Sequence, residues 1–227
     1  MPTDFLAKAE EWGTITAIDH WVLGEAIRQL QVWQSEFHRI PPLTINVNLS
    51  AKEFDRPDLV GELRDILAKS VLPVGSLAVE ITETLTMGTS ERVVAALKDI
   101  KELGLDIVID DFGTGYSALM YLSHLPIDAL KIDCSFVSSM ATNAKNVEVI
   151  RAIVTLAHCL NLKCTAEGVE TADQLATLTA LGCTAAQGSL FSEPVTADDA
   201  YALIDHFGLE TAFESIVMVP EISPVYL

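Results

Sequence analysis

LDIVIDDFGTGYS, residues 105–117, is the stretch that most strongly indicates the fold of this chain. Its β-branched first half predicts a buried strand, and its two glycines release the backbone into a tight turn. Neighbouring strand residues point to opposite faces, so we expect Asp110 and Asp111 to face one site only if the strand ends there. The pair could bind two metal ions about 3.5 to 4 Å apart. Alternatively, it could cap a helix that begins at Ser117.

Strand and helix patterns alternate along most of the chain. Short apolar and β-branched runs predict strands at residues 43–49, 77–82, 105–110, 129–136, 162–166 and 183–188. Helical periodicity is present at residues 4–38, 58–70, 90–103, 117–122, 147–160 and 172–181. Gly104 and Gly182 each follow an apolar Leu, where the C-cap of a helix belongs.

This alternation predicts a parallel sheet with right-handed crossovers, closed as a barrel or open and doubly wound. No G-x-G-x-x-G segment follows an early strand, which favours the α/β barrel over a dinucleotide-binding fold. A TIM-like barrel has eight strands, so the predicted six indicate an incomplete one. We expect a single domain over residues 1–227, with N-terminal helices at 1–40, βα units at 43–210 and a C-terminal tail at 211–227.

The composition argues against several classes of protein. A formal charge of -18 disfavours binding to a nucleic acid polymer, because such binding needs Lys and Arg to neutralise phosphates. The four cysteines form no C-x-x-C pair and no zinc-type spacing, which is typical of free thiols in a reducing compartment. Neither a secretion signal nor an apolar run of about 18 residues is present, so we expect a cytoplasmic protein without a membrane span.

Polar residues stand at the C-terminal end of every predicted strand, where βα-barrels carry their chemistry. They are Asn48, Glu80, Glu83, Asp110, Asp111, Lys131, Asp133, Glu167 and Gln187. Taken singly, such residues commonly cap helices or pair across loops. Together they would surround one cavity with carboxylates whose repulsion a cation relieves, and hard oxygen ligands favour Mg²⁺ or Mn²⁺.

Lys131 and Asp133 lie two residues apart on the fourth predicted strand, so we expect them to share a face. A buried ion pair is the commoner explanation for such an arrangement. The functional alternatives are a cation beside a scissile phosphate and an amine of lowered pKa. An amine of that kind would suit a Schiff-base aldolase with Lys131 as its nucleophile.

Read together, the strand-end segments resemble the EAL domain family. The matching segments are Val47-Asn48-Leu49-Ser50, Glu80-Ile81-Thr82-Glu83, Asp110 to Ser117, Lys131-Ile132-Asp133, Ala166 to Glu170 and Gln187-Gly188. The resemblance implies a TIM-like barrel that binds cyclic di-GMP and hydrolyses one phosphodiester bond to give pGpG, with Mg²⁺ or Mn²⁺ as cofactor. It also implies two metal ions, the first held by Asn48, Glu80 and Asp110 and the second by Asp111.

The resemblance implies roles for five further residues. Lys131 would contact the attacking water or the phosphate, and Glu167 would help to deprotonate that water. Glu83 would anchor the glycine-rich loop, while Gln187 and Asp133 would contact the substrate. These assignments follow from the family pattern alone.

The segment that gives the family its name is absent. A first strand carrying Glu-Ala-Leu, whose Glu is a metal ligand in the family, would precede Phe5. Glu25-Ala26-Ile27 lies inside a helical pattern and is rejected as a substitute. We therefore expect a truncated or degenerate member whose first metal site lacks one carboxylate, which would weaken Mg²⁺ binding and impair hydrolysis.

Three residues near the site also depart from the family pattern. Cys134 stands where Arg is usual, Ser189 where Tyr is usual, and Glu193 where a basic residue is common. Fewer positive charges weaken attraction for a doubly anionic dinucleotide. A noncatalytic module that binds cyclic di-GMP or a protein partner is therefore the second hypothesis. The resemblance further implies pairing into a homodimer and a place in a longer protein with sensor or cyclase domains.

Overall fold

The computed structural model describes residues 8–38, 41–86, 90–115 and 122–208, without the side chains of residues 206–208. Its centre is a sheet of six parallel strands that neighbour one another in chain order. The strands are β1 Ile45–Asn48, β2 Leu77–Thr82, β3 Asp106–Phe112, β4 Ala129–Ile132, β5 Lys163–Ala166 and β6 Ala185–Ala186. Within the described part of the chain, β1 and β6 form two unpaired edges. The predicted incomplete TIM-like barrel is therefore confirmed as an open half-barrel.

Helices connect the strands and pack on one side of the sheet. They are α1 Ile15–Glu36, α2 Leu59–Leu67, α3 Glu83–Thr86, α4 Glu91–Glu102, α5 Cys134–Ser139, α6 Ala144–Cys159, α7 Ala172–Leu181 and α8 Ala197–Gly208. A 3₁₀ helix spans Ala51–Asp55, and residues 8–12 are also helical. In the ranges that the structure covers, we find no helix with the length and apolarity to cross a bilayer.

The two faces of the sheet differ because strand side chains alternate. On β3, Ile107 and Ile109 point toward the helices and belong to the main apolar core. Val108 points the other way and packs with Ala78 and Ala129 in a small separate cluster. The inner face of the half-barrel is therefore lined by small residues, which leaves room for polar side chains toward the C-terminal ends of the strands.

Most predicted elements are found close to their predicted positions. Strand 77–82 and helix 172–181 match residue for residue, and Gly104 and Gly182 have the positive φ values of 85° and 94° that suit helix C-termini. The strand predicted at 129–136 is too long, because the chain turns into a helix after Ile132. The helix predicted at 117–122 and the tail at 211–227 lie wholly or largely outside the described residues, and the single-domain division stays a prediction.

Candidate active site

A group of charged side chains centred on Lys131 lies at the C-terminal ends of β2 to β5. The Lys131 Nζ is 2.9 Å from Glu80 Oε1, 3.3 Å from Asp110 Oδ1 and 2.5 Å from Glu167 Oε1. Lys131 and Glu80 are nearly inaccessible, with 6% and 3% of their side chains exposed. Four residues predicted from separate strand ends are therefore in direct contact, and one ammonium group joins three carboxylates.

Asp110 and Asp111 both reach this group because β3 contains a bulge. Ile109 pairs with Leu130, whereas Phe112 pairs with Ile132, so β3 has one residue more than β4 over this interval. Asp111 takes up the additional residue with a left-handed φ of 53°. The expectation that the strand must end at Asp110 is wrong, since β3 continues to Phe112. The bulge, rather than a strand end, turns both carboxylates toward one site.

Glu83 holds the loop that follows these two aspartates. Its Oε2 accepts hydrogen bonds from the backbone N–H groups of Gly113, at 2.9 Å, and Gly115, at 3.1 Å. A Cβ atom on Gly115 would lie 3.0 Å from the Glu83 Cδ, so this close approach requires glycine. These contacts are the ones expected of a loop anchor, and they couple the start of α3 to the turn after β3.

Asp133 occupies a different position from the one predicted. Because β4 ends at Ile132, Asp133 does not continue the strand face of Lys131, and that expectation is wrong. Its carboxylate caps α5 by accepting hydrogen bonds from the backbone N–H and the hydroxyl of Ser135. It also contributes to raising the pKa of Asp111, so it borders the cluster. Asp133 therefore combines a capping contact with a place beside the site.

Asn48 and Gln187 lie at the margins of the cluster. The Cα of Asn48 is the register partner of Glu80, and its side chain is exposed. Gln187 follows β6, and its backbone N–H donates to the Ala166 carbonyl at 2.8 Å. The Gln187 Oε1 is buried and has no hydrogen-bond partner among the described residues. Such an orphaned acceptor is available to a donor from outside the chain.

Asn46 is the residue that sequence reasoning missed. Its Nδ2 donates a 2.8 Å hydrogen bond to Glu80 Oε1, so Asn46 and Lys131 together fix the Glu80 carboxylate. The signal was available, because Asn46 lies two residues before Asn48 and strand alternation places both on one face. The motif drew attention to Asn48 alone.

The electrostatics of the site follow from its burial and its excess of carboxylates. Burial acts to lower the pKa of Lys131, but the attraction of Glu80, Glu167 and Asp110 outweighs it and raises that pKa. Burial raises the pKa of Glu167 to about 7 despite the opposing charge of Lys131, which is shared with two other carboxylates. Burial and the neighbouring Asp110 and Asp133 raise the pKa of Asp111. The raised pKa of Lys131 contradicts the alternative of a lowered-pKa amine, and with it the Schiff-base aldolase.

The donor set suits a hard divalent cation. Oxygen atoms of Asp110, Asp111 and Glu167 lie within 4.8 Å of one another, and no described Cys or His belongs to the group. With Glu80 included, four carboxylates face the single ammonium of Lys131, so negative charge is in excess. Carboxylate oxygens are preferred ligands of Mg²⁺ and Mn²⁺. The residues present therefore fit a divalent metal.

A second cluster, formed by His20, Glu53 and Glu62, has a different character. The guanidinium of Arg56 lies among these side chains, 3.0 Å from Glu53 Oε2, 2.5 Å from Glu62 Oε1 and 2.9 Å from His20 Nε2. A positive charge therefore already occupies the centre of this group. We interpret it as an ion-pair network that joins α1 to the segment after β1.

Comparison with known proteins identifies the family. The EAL domain model matches residues 1–194. This chain belongs to the EAL domain family. Among curated EAL relatives, the bifunctional diguanylate cyclase/cyclic di-GMP phosphodiesterase MucR of Pseudomonas aeruginosa is 41% identical over 203 residues, which are 89% of this chain and 29% of MucR. The cyclic di-GMP phosphodiesterase NbdA of the same organism is 41% identical over 194 residues, 86% of this chain and 24% of NbdA.

Solved EAL structures share the fold described above. The MucR phosphodiesterase in complex with c-di-GMP superposes with a TM-score of 0.83 at 41% identity, covering 88% of this chain and 80% of that one. The EAL domain of Mycobacterium smegmatis DcpA gives a TM-score of 0.77 at 34% identity, covering 83% and 84% of the two chains. The chain therefore corresponds to most of an EAL domain, whereas it spans less than a third of the two curated relatives.

Proposed function

We propose that this EAL domain hydrolyses cyclic di-GMP to linear pGpG with Mg²⁺ or Mn²⁺. The observation that carries the proposal is the buried contact of Lys131 with Glu80, Asp110 and Glu167, beside Asp111. Fold alone would not justify an activity, so the weight rests on this group of residues. The names of the relatives MucR and NbdA supply the substrate class.

Asn48, Glu80 and Asp110 would hold a first ion, and Asp111 a second. When bound, two divalent ions would lower the pKa of a shared water and neutralise the oxygens of the scissile phosphate. Asn46 keeps one Glu80 oxygen oriented through its 2.8 Å hydrogen bond. The ligand geometry on this side of the site would then depend on a partner outside the family motif.

The remaining residues would handle the proton and the substrate. The pKa of about 7 allows Glu167 to accept a proton from water near neutral pH. Lys131, whose pKa is raised, would present a permanent positive charge to a phosphate oxygen. Gln187 and Asp133 would contact the nucleotide, and the buried Gln187 Oε1, which has no hydrogen-bond partner in the described part of the chain, would accept from a base N–H.

For the 227-residue chain by itself we expect weak turnover, because the Glu of the family's first strand is not among its residues. A noncatalytic receptor for cyclic di-GMP, or a protein-interaction module, is the second candidate. The departures at Cys134, Ser189 and Glu193 favour it, since each removes a feature usual in the family. We also infer a cytoplasmic location, a homodimer and a longer protein with sensor or cyclase domains as the setting of this domain.

One assay separates these functions. The purified chain, and a version extended upstream where the gene encodes one, are incubated with cyclic di-GMP and Mn²⁺, and pGpG is measured by chromatography. Glu167→Gln should lower turnover by about 10²- to 10⁴-fold, the range for loss of a general base. The matched control is Glu148→Gln, because Glu148 is exposed and pairs only with Arg151 among the described residues.

The outcomes are distinct. Turnover that requires Mn²⁺ and is lost in Glu167→Gln supports the phosphodiesterase. Binding of cyclic di-GMP by calorimetry in Ca²⁺ without pGpG supports the receptor, and absence of both leaves the partner-binding module. Turnover that survives in Glu167→Gln as in Glu148→Gln would refute the assignment of the general base.

A further inference from the structure

Two thiols lie side by side on the helix-facing side of the sheet. Thr165 on β5 pairs in register with Ala185 on β6, and Thr184 N–H donates to the Cys164 carbonyl at 2.9 Å. Cys164 therefore stands diagonally across from Cys183. The Cys164 N–H also donates to Thr184 Oγ1 at 2.8 Å, so the residue that directly follows Cys183 is held against the backbone of Cys164 at two points.

The two thiols differ in accessibility and acidity. Cys164 is fully buried, whereas Cys183 is half-buried in the turn between α7 and β6. Hydrogen bonding between the two thiols raises the pKa of Cys164 and lowers the pKa of Cys183. The more accessible sulfur is thus also the more readily ionised one, and the thiolate is the form of cysteine that reacts with oxidants.

We propose that Cys164 and Cys183 form a redox-active dithiol that reacts with hydroperoxides and closes to a disulfide between β5 and the turn that precedes β6. Cys164 belongs to the apolar core between the sheet and its helices, and Cys183 packs against that core, on the opposite face from the charged group around Lys131. This site is therefore separate from the candidate active site and does not depend on the proposed function.

The reaction balances with a hydroperoxide as the oxidant. The Cys183 thiolate attacks one peroxide oxygen, the O–O bond breaks, and the sulfur becomes a sulfenic acid while the leaving oxygen takes the thiol proton. The Cys164 sulfur then attacks the Cys183 sulfur, the S–O bond breaks, and the hydroxide leaves as water with the Cys164 proton. Two thiols lose two electrons in total, and the peroxide is reduced to an alcohol, or to water when it is hydrogen peroxide.

The test uses the 227-residue chain with Cys134→Ser and Cys159→Ser, which removes the two exposed thiols and leaves the pair. The protein is treated with hydrogen peroxide, its remaining thiols are alkylated, and intact mass and peptide maps are recorded. We expect the loss of two hydrogens, no alkylation, and a linked peptide containing both cysteines that dithiothreitol separates. The same peptide map on the unsubstituted chain keeps the test valid if the double variant folds poorly.

Single substitutions define the order of reaction. In Cys164→Ser, Cys183 should form a sulfenic acid that dimedone captures. In Cys183→Ser, oxidation of the buried Cys164 should slow by about tenfold or more, because no accessible thiolate remains to react first. A disulfide between two chains, over-oxidation of Cys183 without a Cys164 linkage, or two thiols that remain fully alkylatable would each overturn the proposal.

Discussion

Replacing Lys131 with Met tests the charge balance of the candidate active site. The substitution keeps an unbranched side chain of similar length but removes the ammonium that contacts Glu80, Asp110 and Glu167. Glu80 is 3% exposed and Glu167 17% exposed, so water cannot replace the lost partner well. We therefore expect a large loss of stability in the absence of metal.

The magnitude follows from the geometry. At an effective dielectric constant of about 20, an ion pair at 2.9 Å is worth roughly 6 kcal/mol before the cost of removing both charges from water. Removing one partner of a buried pair typically costs about 3 to 5 kcal/mol, because the other charge remains without compensation. The carboxylates can lower this cost by binding protons, so the loss of unfolding free energy in Lys131→Met should be smaller at low pH.

The assay is urea unfolding of Lys131→Met and the unsubstituted chain in EDTA and in excess Mn²⁺. A cation that binds the folded state at 100 times its Kd adds about 2.7 kcal/mol, and we expect this gain to be larger in Lys131→Met, where the ammonium no longer competes. The control is Lys101→Met. Lys101 pairs with Asp106 and Asp128 at the N-terminal ends of β3 and β4, which is the end of the sheet away from the candidate active site. A loss below about 1 kcal/mol in EDTA, or equal Mn²⁺ effects in both variants, would refute the reasoning.

Three further predictions concern single contacts. Gly115→Ala should lower the free energy of unfolding by about 1 to 3 kcal/mol, because its Cβ would displace the buried Glu83 carboxylate 3.0 Å away; an unchanged urea midpoint would argue against this. Without metal, the folded-state pKa of about 7 for Glu167, against an ordinary value of 4.5, means that stability falls by roughly 3 kcal/mol as pH rises from 4.5 through 7. Glu167→Gln should remove that slope, and unfolding curves at several pH values in EDTA would contradict the idea if the slope persisted. Asn46→Ala should weaken Mn²⁺ binding by about 10- to 100-fold in calorimetry, because it releases Glu80, and equal affinities would disprove an orienting role.

Periodicity in the sequence was sufficient to locate most of the secondary structure. Strand 77–82 is a short apolar run, and helix 172–181 shows helical periodicity and ends at Gly182, so both were predicted with correct bounds. These signals are local, since burial alternation and capping depend on residues a few positions apart. The strand predicted at 129–136 is too long because a local pattern does not show where the strand ends, and the chain turns into a helix after Ile132.

The sequence also indicated that the functional residues would meet at one end of the sheet. Parallel strands present their C-terminal ends at a common edge, so polar residues placed there in succession must approach one another. The family resemblance rested on the same segments, and the match over residues 1–194 confirms it. What strand-end position cannot specify is which side chains touch.

The tertiary structure alone decided those contacts. Three features depend on the register between strands. Lys131 is the common partner of three carboxylates, a bulge turns Asp111 into the site, and Asn46 donates a hydrogen bond to Glu80. Asp133 likewise became a helix cap because the chain turned at that point. A sequence carries the local preference of each residue, whereas the pairing of side chains 21 to 51 positions apart depends on how the intervening helices pack, and that is settled only when the whole core forms.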